Sequence, residues 1–249
     1  MTTLLTAQDI SVSLSRTAPP VLAELTLEVA QGETLAVLGA SGTGKTTLAR
    51  TLAGLRHPDT GRVTFRGVDV RHLGARTHRA LRCDLQMIFQ DPYSSLDPRQ
   101  TIGQALAEPL LARIQDSASR TLRIENILHA LALPADTQAR RPHEFSGGQR
   151  QRIAIARALV GEPALVIADE AVSALDASVQ ARVLNILLEQ QRRTGLALVF
   201  ISHDMAVVRH MAHRVIVLDK GHIVEDGPTE KVFTAPQAVA TRRLLQAAA

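Results

Sequence analysis

Apolar and polar residues fall into two rhythms along the chain. Residues 26–30 alternate, the period-two pattern of a half-buried strand, and 61–67 alternate again through Val63 and Phe65. Residues 34–38, 85–89, 165–168 and 196–202 are short, almost wholly apolar runs, as expected of strands buried on both faces. Between them lie helical spacings. These are 46–53 (stopped at Gly54), 75–82, 102–113, 119–133, 148–160, 177–193 and 204–212. The 177–193 helix has Asp176 as its N-cap and Gly195 as its stop. A hairpin is predicted around Lys220-Gly221, pairing 214–219 with 222–225.

Apolar strands alternating with helices imply an α/β fold with a mostly parallel sheet covered on both faces. Residues 91–98 (DPYSSLDP) are dense in turn formers. The helical stretch from about residue 91 to 145 interrupts the alternation and is expected to be an inserted helical subdomain. The remaining 1–90 and 146–249 then form one core within a single 249-residue domain.

Composition narrows the picture. Hydrophobic residues are 45% of the chain, but aromatics are only 2%, so the core must be built from Leu, Val, Ile and Ala. With no Trp and one Tyr, a stacking platform for single-stranded nucleic acid is not expected. The net charge of +4 suits phosphate ligands or an anionic membrane surface, and equally a solvated enzyme surface. Cys83 is the sole cysteine, which excludes an internal disulfide or thiolate zinc site and fits a reducing cytosol. Residues 1–10 lack the charged and long apolar regions of a signal peptide. The longest apolar runs, 196–201 and 164–168, fall far short of the roughly 20 residues that a membrane helix needs.

Three segments carry chemistry. Gly39-Ala40-Ser41-Gly42-Thr43-Gly44-Lys45-Thr46, with Thr47 following, joins an apolar strand to a helix and matches the P-loop pattern. Its glycines let backbone N–H groups surround phosphate oxygens, and the helix N-terminus adds partial positive charge. Lys45 is placed to reach the β- and γ-phosphates, and the Thr46 hydroxyl to ligate Mg²⁺. The run 165–170 is an apolar strand ending in Asp169-Glu170. Asp169 can hold Mg²⁺, and Glu170, facing differently, can orient or deprotonate a water. Residues 145–152 (FSGGQRQR) open a helix, where Ser146, Gly147, Gly148 and Gln149 form a second anion site or an ordinary capped helix start. His203, just after a buried strand, is either a sheet-edge active-site residue or a structural histidine.

The order GASGTGKT, Gln90, FSGGQ, LVIADE, SALD and His203 resembles the ABC ATPase family across essentially the whole chain. That resemblance implies a P-loop NTPase core with an N-terminal antiparallel β subdomain and an inserted helical subdomain. It implies ATP and Mg²⁺ as ligands and ATP hydrolysis as the reaction. Gln90 would touch Mg²⁺ and couple to a membrane subunit, with Thr46 and Asp169 as the other metal-side residues. Ser146, Gly147, Gly148 and Gln149 would complete the ATP site of a partner ATPase subunit. Asp176, in Ser173-Ala174-Leu175-Asp176, would lie in the loop crossing the dimer interface, and His203 would sit near the γ-phosphate. An aromatic that stacks on adenine is usual in the family near residues 14–18. Here that stretch is Leu14-Ser15-Arg16-Thr17-Ala18, which leaves the Arg16 guanidinium as the stacking candidate.

Residues 90–99, the long FSGGQRQRIAIARAL and SALDASVQARVLNIL runs, and the tail from Ala235 to Leu245 resemble the peptide/nickel importer branch. The resemblance implies a second ATPase subunit, identical or homologous, two transmembrane permease subunits and an extracytoplasmic solute-binding protein. The chain would sit at the cytoplasmic face of the inner membrane. The solute would be a peptide, nickel or a metal-chelate. Coupling would lie in the segment after Gln90, with Tyr93 as a docking aromatic. The alternative is a soluble ABC-type ATPase acting on nucleic acid or the ribosome. Its usual second ATPase unit, coiled-coil insert or zinc cysteines do not occur in this sequence.

Overall fold

A computed structural model describes residues 2–15, 17, 19–72, 79–173 and 175–247, with the side chains of Arg79, Tyr93 and Ser94 outside the description. Two sheets share the chain. The first is antiparallel and contains β1 (Thr3–Val12), β2 (Leu22–Ala30), β4 (Thr60–Phe65) and β5 (Val68–Asp69), in the order β2-β1-β4-β5. The second contains β3 (Thr34–Leu38), β6 (Leu85–Ile88), β7 (Leu165–Asp169), β8 (Ala197–Ile201), β9 (Arg214–Asp219) and β10 (His222–Pro228). Its order is β10-β9-β3-β8-β7-β6, parallel throughout except for the β9–β10 hairpin. Every residue of β3, β7 and β8 is buried, which is why these strands read as continuous apolar runs.

The helices are α1 (Lys45–Leu52), α2 (Arg79–Asp84), α3 (Ile102–Ala107), α4 (Ser117–Ala130), α5 (Gly147–Leu159), α6 (Ala177–Thr194), α7 (Met205–Met211), α8 (Thr229–Thr234) and α9 (Val239–Ala247). On one face of the parallel sheet, α1 and the antiparallel sheet enclose a core around Leu5, Ile10, Leu35, Leu48 and Phe65. On the other, α3 to α6 pack around Leu106, Ile153, Val166, Leu187 and Phe200. Between β6 and β7 the described chain holds only helices and 3-10 turns. Ion pairs tie this stretch to the sheet layer. Asp84 accepts from Arg66 and Arg113, and Glu162 from Arg123 and Arg193. No described helix is long and apolar enough to cross a membrane.

Differences from the sequence expectation have local causes. Strand β1 has no clean alternation because its register shifts between Ala7 and Ile10 and again before Val12, with Asp9 at φ 48°. β2 begins at Leu22 rather than 26, and Glu24 (φ 51°) breaks the period between Leu22 and Leu25. The helix expected over 102–113 stops at Ala107 and tightens into a 3-10 turn at Glu108–Leu110, where Pro109 offers no N–H. His213 lies past the end of α7. Its Nδ1 accepts from the Thr34 N–H at 2.9 Å, and its own N–H donates to the Thr34 carbonyl at 2.9 Å. It therefore fastens the start of β3. The tail folds into α8 and α9, and Glu225 accepts from the N–H groups of Gln237 and Ala238 ahead of α9.

Candidate functional site

Four neighbouring parallel strands, β3, β8, β7 and β6, end at the same edge of the sheet. The Gly39–Thr46 loop follows β3, His203 follows β8, Asp169 and Glu170 close β7, and Gln90 follows β6. Open α/β sheets bind ligands outside these carboxyl ends. A cleft of about 330 Å³ lies here, lined by Ser41, Gly42, Gly44, Lys45, Thr46, Thr47, Gln90, Glu170 and His203. Leu14 and Val21 complete its wall.

The loop owes its shape to glycine. Gly39 has φ 154°, and a Cβ there would stand 2.6 Å from the Leu218 carbonyl oxygen. Gly44 has φ 101°, and a Cβ would meet Leu22 Cδ2 at 2.8 Å. Both positions are held against neighbouring strands, so the loop is fixed from outside as well as within. Lys45 is 7% exposed, and its Nζ donates to the carbonyls of Gly39 and Ala40 at 2.8 Å each. Burial pushes its ammonium below the ordinary lysine value, while the charges of Glu170 and Asp169 pull the other way.

Asp169 is 2% exposed, and its Oδ1 lies 3.4 Å from the Thr46 hydroxyl. Burial raises its carboxyl above the usual range. The Thr46 hydrogen bond opposes that rise and the adjacent Glu170 charge adds to it. A hard cation between the two residues would reverse the balance. The oxygen donors of Thr46 and Asp169 fit Mg²⁺, which takes one or two carboxylates and fills its remaining positions with phosphate and water. Among the described residues no group of three or more His, Cys, Asp or Glu could hold a metal ion.

Glu170 follows Asp169 with its own backbone left-handed, at φ 49°. Such a conformation costs a non-glycine residue about 1–2 kcal/mol. It is pinned from both sides: its N–H donates to the Ile201 carbonyl at 3.1 Å, and its carbonyl accepts from the Ser173 hydroxyl at 2.9 Å. Both carboxylate oxygens are engaged. Gln90 Nε2 donates to Oε2 at 2.7 Å, and His203 Nε2 stands 2.5 Å from Oε1. Gln90 and His203, from the ends of the two strands that flank β7, therefore converge on the Glu170 carboxylate.

Other expected site residues lie elsewhere. Ser146 caps α5 in a reciprocal box: its hydroxyl accepts from the Gln149 N–H at 3.3 Å, and Gln149 Oε1 accepts from the Ser146 N–H at 2.9 Å. Neither Ser146, Gly147, Gly148 nor Gln149 lines the cleft. The start of α5 is open: a Cβ at Gly147 would meet nothing, and one at Gly148 only Leu175 Cδ2 at 3.8 Å. Asp176 caps α6, accepting from the Val179 N–H at 3.0 Å and the Ser178 hydroxyl at 2.7 Å. Arg16, the stacking candidate, and Ala174 lie outside the described residues. Leu14 and Val21 were not picked out as wall residues from sequence. An apolar Leu14 in the stretch searched for an aromatic was the available signal.

The site sits among known relatives. The ABC transporter family model matches residues 22–173. The glutathione import ATP-binding protein GsiA of Pectobacterium atrosepticum is 50% identical over 220 residues, 87% of this chain and 35% of GsiA. A putative peptide import ATP-binding protein of Brucella ovis is 48% identical over 228 residues, 91% of this chain and 72% of the relative. A probable peptide ABC transporter ATP-binding protein of Sinorhizobium fredii is 49% identical, over 90% of this chain and 64% of the relative. The chain thus spans only about a third of GsiA. Among solved structures, an ATP-binding subunit of an ABC transporter superposes with TM-score 0.83 at 25% identity, covering 98% of this chain and 99% of that one. A dimeric ATP-binding cassette in a post-hydrolysis state, bound to ADP and Pi, gives TM-score 0.82 at 25% identity, covering 91% and 99%. With the family model matched over more than half its length and a 48%-identical relative covered over 72%, this chain belongs to the ABC transporter family.

Proposed function

We propose that the chain is the ATP-hydrolysing subunit of a peptide-type importer, acting as half of an ATPase dimer on the cytoplasmic side of partner permeases. The observation that carries this reading is the meeting of the P-loop, Gln90, Glu170 and His203 at the ends of four adjacent strands. The importer names of the bacterial relatives support the transport half of it. A solute-binding protein delivers the cargo in this scheme. Residues 91–145 act as an inserted helical subdomain facing the permeases.

In this mechanism the triphosphate lies on the N–H groups of residues 39–47, and Lys45 exchanges its two carbonyl partners for β- and γ-phosphate oxygens. Leu14 and Val21 offer the base an apolar wall. Thr46 and Asp169 would hold Mg²⁺, joined by Gln90, and the ion would neutralise phosphate charge. Glu170 accepts the proton of the attacking water as Gln90 releases one of its oxygens. His203 keeps the carboxylate oriented and faces the γ-phosphate.

Lys45→Ala removes a charge from the phosphates. Charge-assisted hydrogen bonds contribute about 1.5–3 kcal/mol each, so nucleotide affinity should fall about 10- to 100-fold in a titration with a fluorescent ATP analogue. Unchanged affinity defeats the P-loop assignment.

The transport half is tested at a groove of about 260 Å³ whose wall includes Leu55, Arg82, Met87, Phe89, Pro109 and Arg157. It lies between α1, β6 and the start of the helical stretch, and Phe89 places it one residue from Gln90. Leu55 is 46% exposed. A carboxylate at Leu55 should abolish co-purification with the permeases and solute uptake, while nucleotide affinity of the isolated chain stays at the parental value, because Leu55 does not line the P-loop cleft. Uptake that survives Leu55→Asp rejects this groove as the docking surface.

A further inference from the structure

Gln151 lies two residues beyond Gln149 on α5 and is 1% exposed. Its Nε2 donates to the Ala171 carbonyl at 2.8 Å and towards the Phe89 carbonyl at 3.4 Å. The Phe89 carbonyl belongs to the peptide that leads into Gln90, and Ala171 follows Glu170 directly. One amide group thus spans the two backbone segments whose side chains meet at 2.7 Å. Its orientation is fixed by chemistry, since a reversed amide would set an oxygen against two carbonyl oxygens. In the observed orientation Oε1 is buried and has no hydrogen-bond partner among the described residues. An apolar side chain of the same length would not leave that acceptor unpaired, so packing alone does not account for an amide at this position.

We infer that Gln151 is a positioning residue for hydrolysis, setting the Gln90–Glu170 pair from the helix whose first turn carries residues 146–149. The inference rests on the proposed reading of Gln90 and Glu170. α5 is a continuous helix from Gly147 to Leu159, so a shift at its N-terminus is carried to Gln151, one turn along. Through its two donor hydrogens, that shift reaches the peptides on either side of the Gln90–Glu170 contact. A partner's nucleotide engaging the start of α5 would thereby be sensed at the hydrolytic carboxylate of this chain's own site. The surface that reads one ATP would be linked to the group that attacks another.

Gln151→Met keeps length and removes both donors. In the full chain, kcat for ATP hydrolysis should fall about 10- to 100-fold, the usual consequence of displacing a reacting group by a fraction of an ångström to an ångström. KM, nucleotide affinity and the thermal midpoint should stay near parental values. Repeating the substitution in a Gln90→Ala background separates positioning from general damage. There it should add little, because the contact it sets is already gone, whereas a merely structural residue would cost the same factor in both backgrounds. Should Gln151→Met fail to fold, Gln151→Asn serves, since it stays uncharged and keeps its donors but is one methylene too short to hold both carbonyls, and it should give the same kcat loss. A parental kcat in the folded variant, or an equal loss in both backgrounds, overturns the inference. Glu170→Gln run alongside distinguishes the two failures. If it is inactive while Gln151→Met is fully active, only the inference fails; if it retains activity, the underlying reading of Glu170 fails first.

Discussion

Glu170→Gln should leave ATP binding intact and cut hydrolysis by about 10²–10⁴-fold, the span attributed to positioned general bases. The amide has the same shape and can still accept from Gln90 through its oxygen. It cannot take a proton from water. Its NH₂ group would also face His203 Nε2, replacing the carboxylate oxygen that stands 2.5 Å away by an uncharged donor. Binding should survive because the charge on the phosphates comes from Lys45 and the loop. With binding intact and turnover blocked, an ATP-bound dimer should accumulate, since ATP that bridges two chains links association to occupancy. Phosphate release and size-exclusion chromatography with ATP read the two effects separately. Near-parental turnover removes Glu170 from the role of base.

Gly148→Asp should abolish ATP-driven pairing and reduce hydrolysis by at least about 10²–10³-fold, the loss seen when a single donor to a developing charge is deleted. The structure gives this substitution room. An added Cβ meets only Leu175 Cδ2, at 3.8 Å, so the chain should fold and keep its thermal midpoint. Gly148 does not line the chain's own P-loop cleft, so nucleotide affinity of the isolated chain should be unaffected. The defect arises when the start of α5 meets a partner's triphosphate, where a carboxylate replaces an open array of N–H groups. In a dimer of one mutant and one parental chain, nucleotide trapping should fail at the parental chain's P-loop. Failure confined to the mutant chain's own P-loop rejects the shared site.

The glycine loop between β3 and α1 and the carboxylates that close β7 are legible because their signals are local. A strand, a glycine loop and a helix succeed one another within residues 34–52, and only that succession is needed to match the P-loop pattern. The same holds for Asp176 and Gly195, which bound α6 through hydrogen bonds to near neighbours. β1 was not legible, because bulges at Ala7–Ile10 and before Val12 destroy the period that betrays a strand. Gln151 carries no local signal within FSGGQRQR. Its partners, Phe89 and Ala171, lie 62 and 20 residues away.

By itself, then, the sequence determined the strand–helix alternation, the glycine loop after β3, the paired carboxylates ending β7 and the capped start of α5, since each depends on residues within a turn or two of one another. The tertiary structure alone decided that β3 lies between β8 and β9 and that β6 stands at the sheet edge beside β7. That order brings Gln90 and His203 onto the same carboxylate, although Gln90 is 80 residues from Glu170. Strand order is set by which buried faces and edge hydrogen bonds fit together across the whole sheet, and no local pattern of apolar residues encodes it.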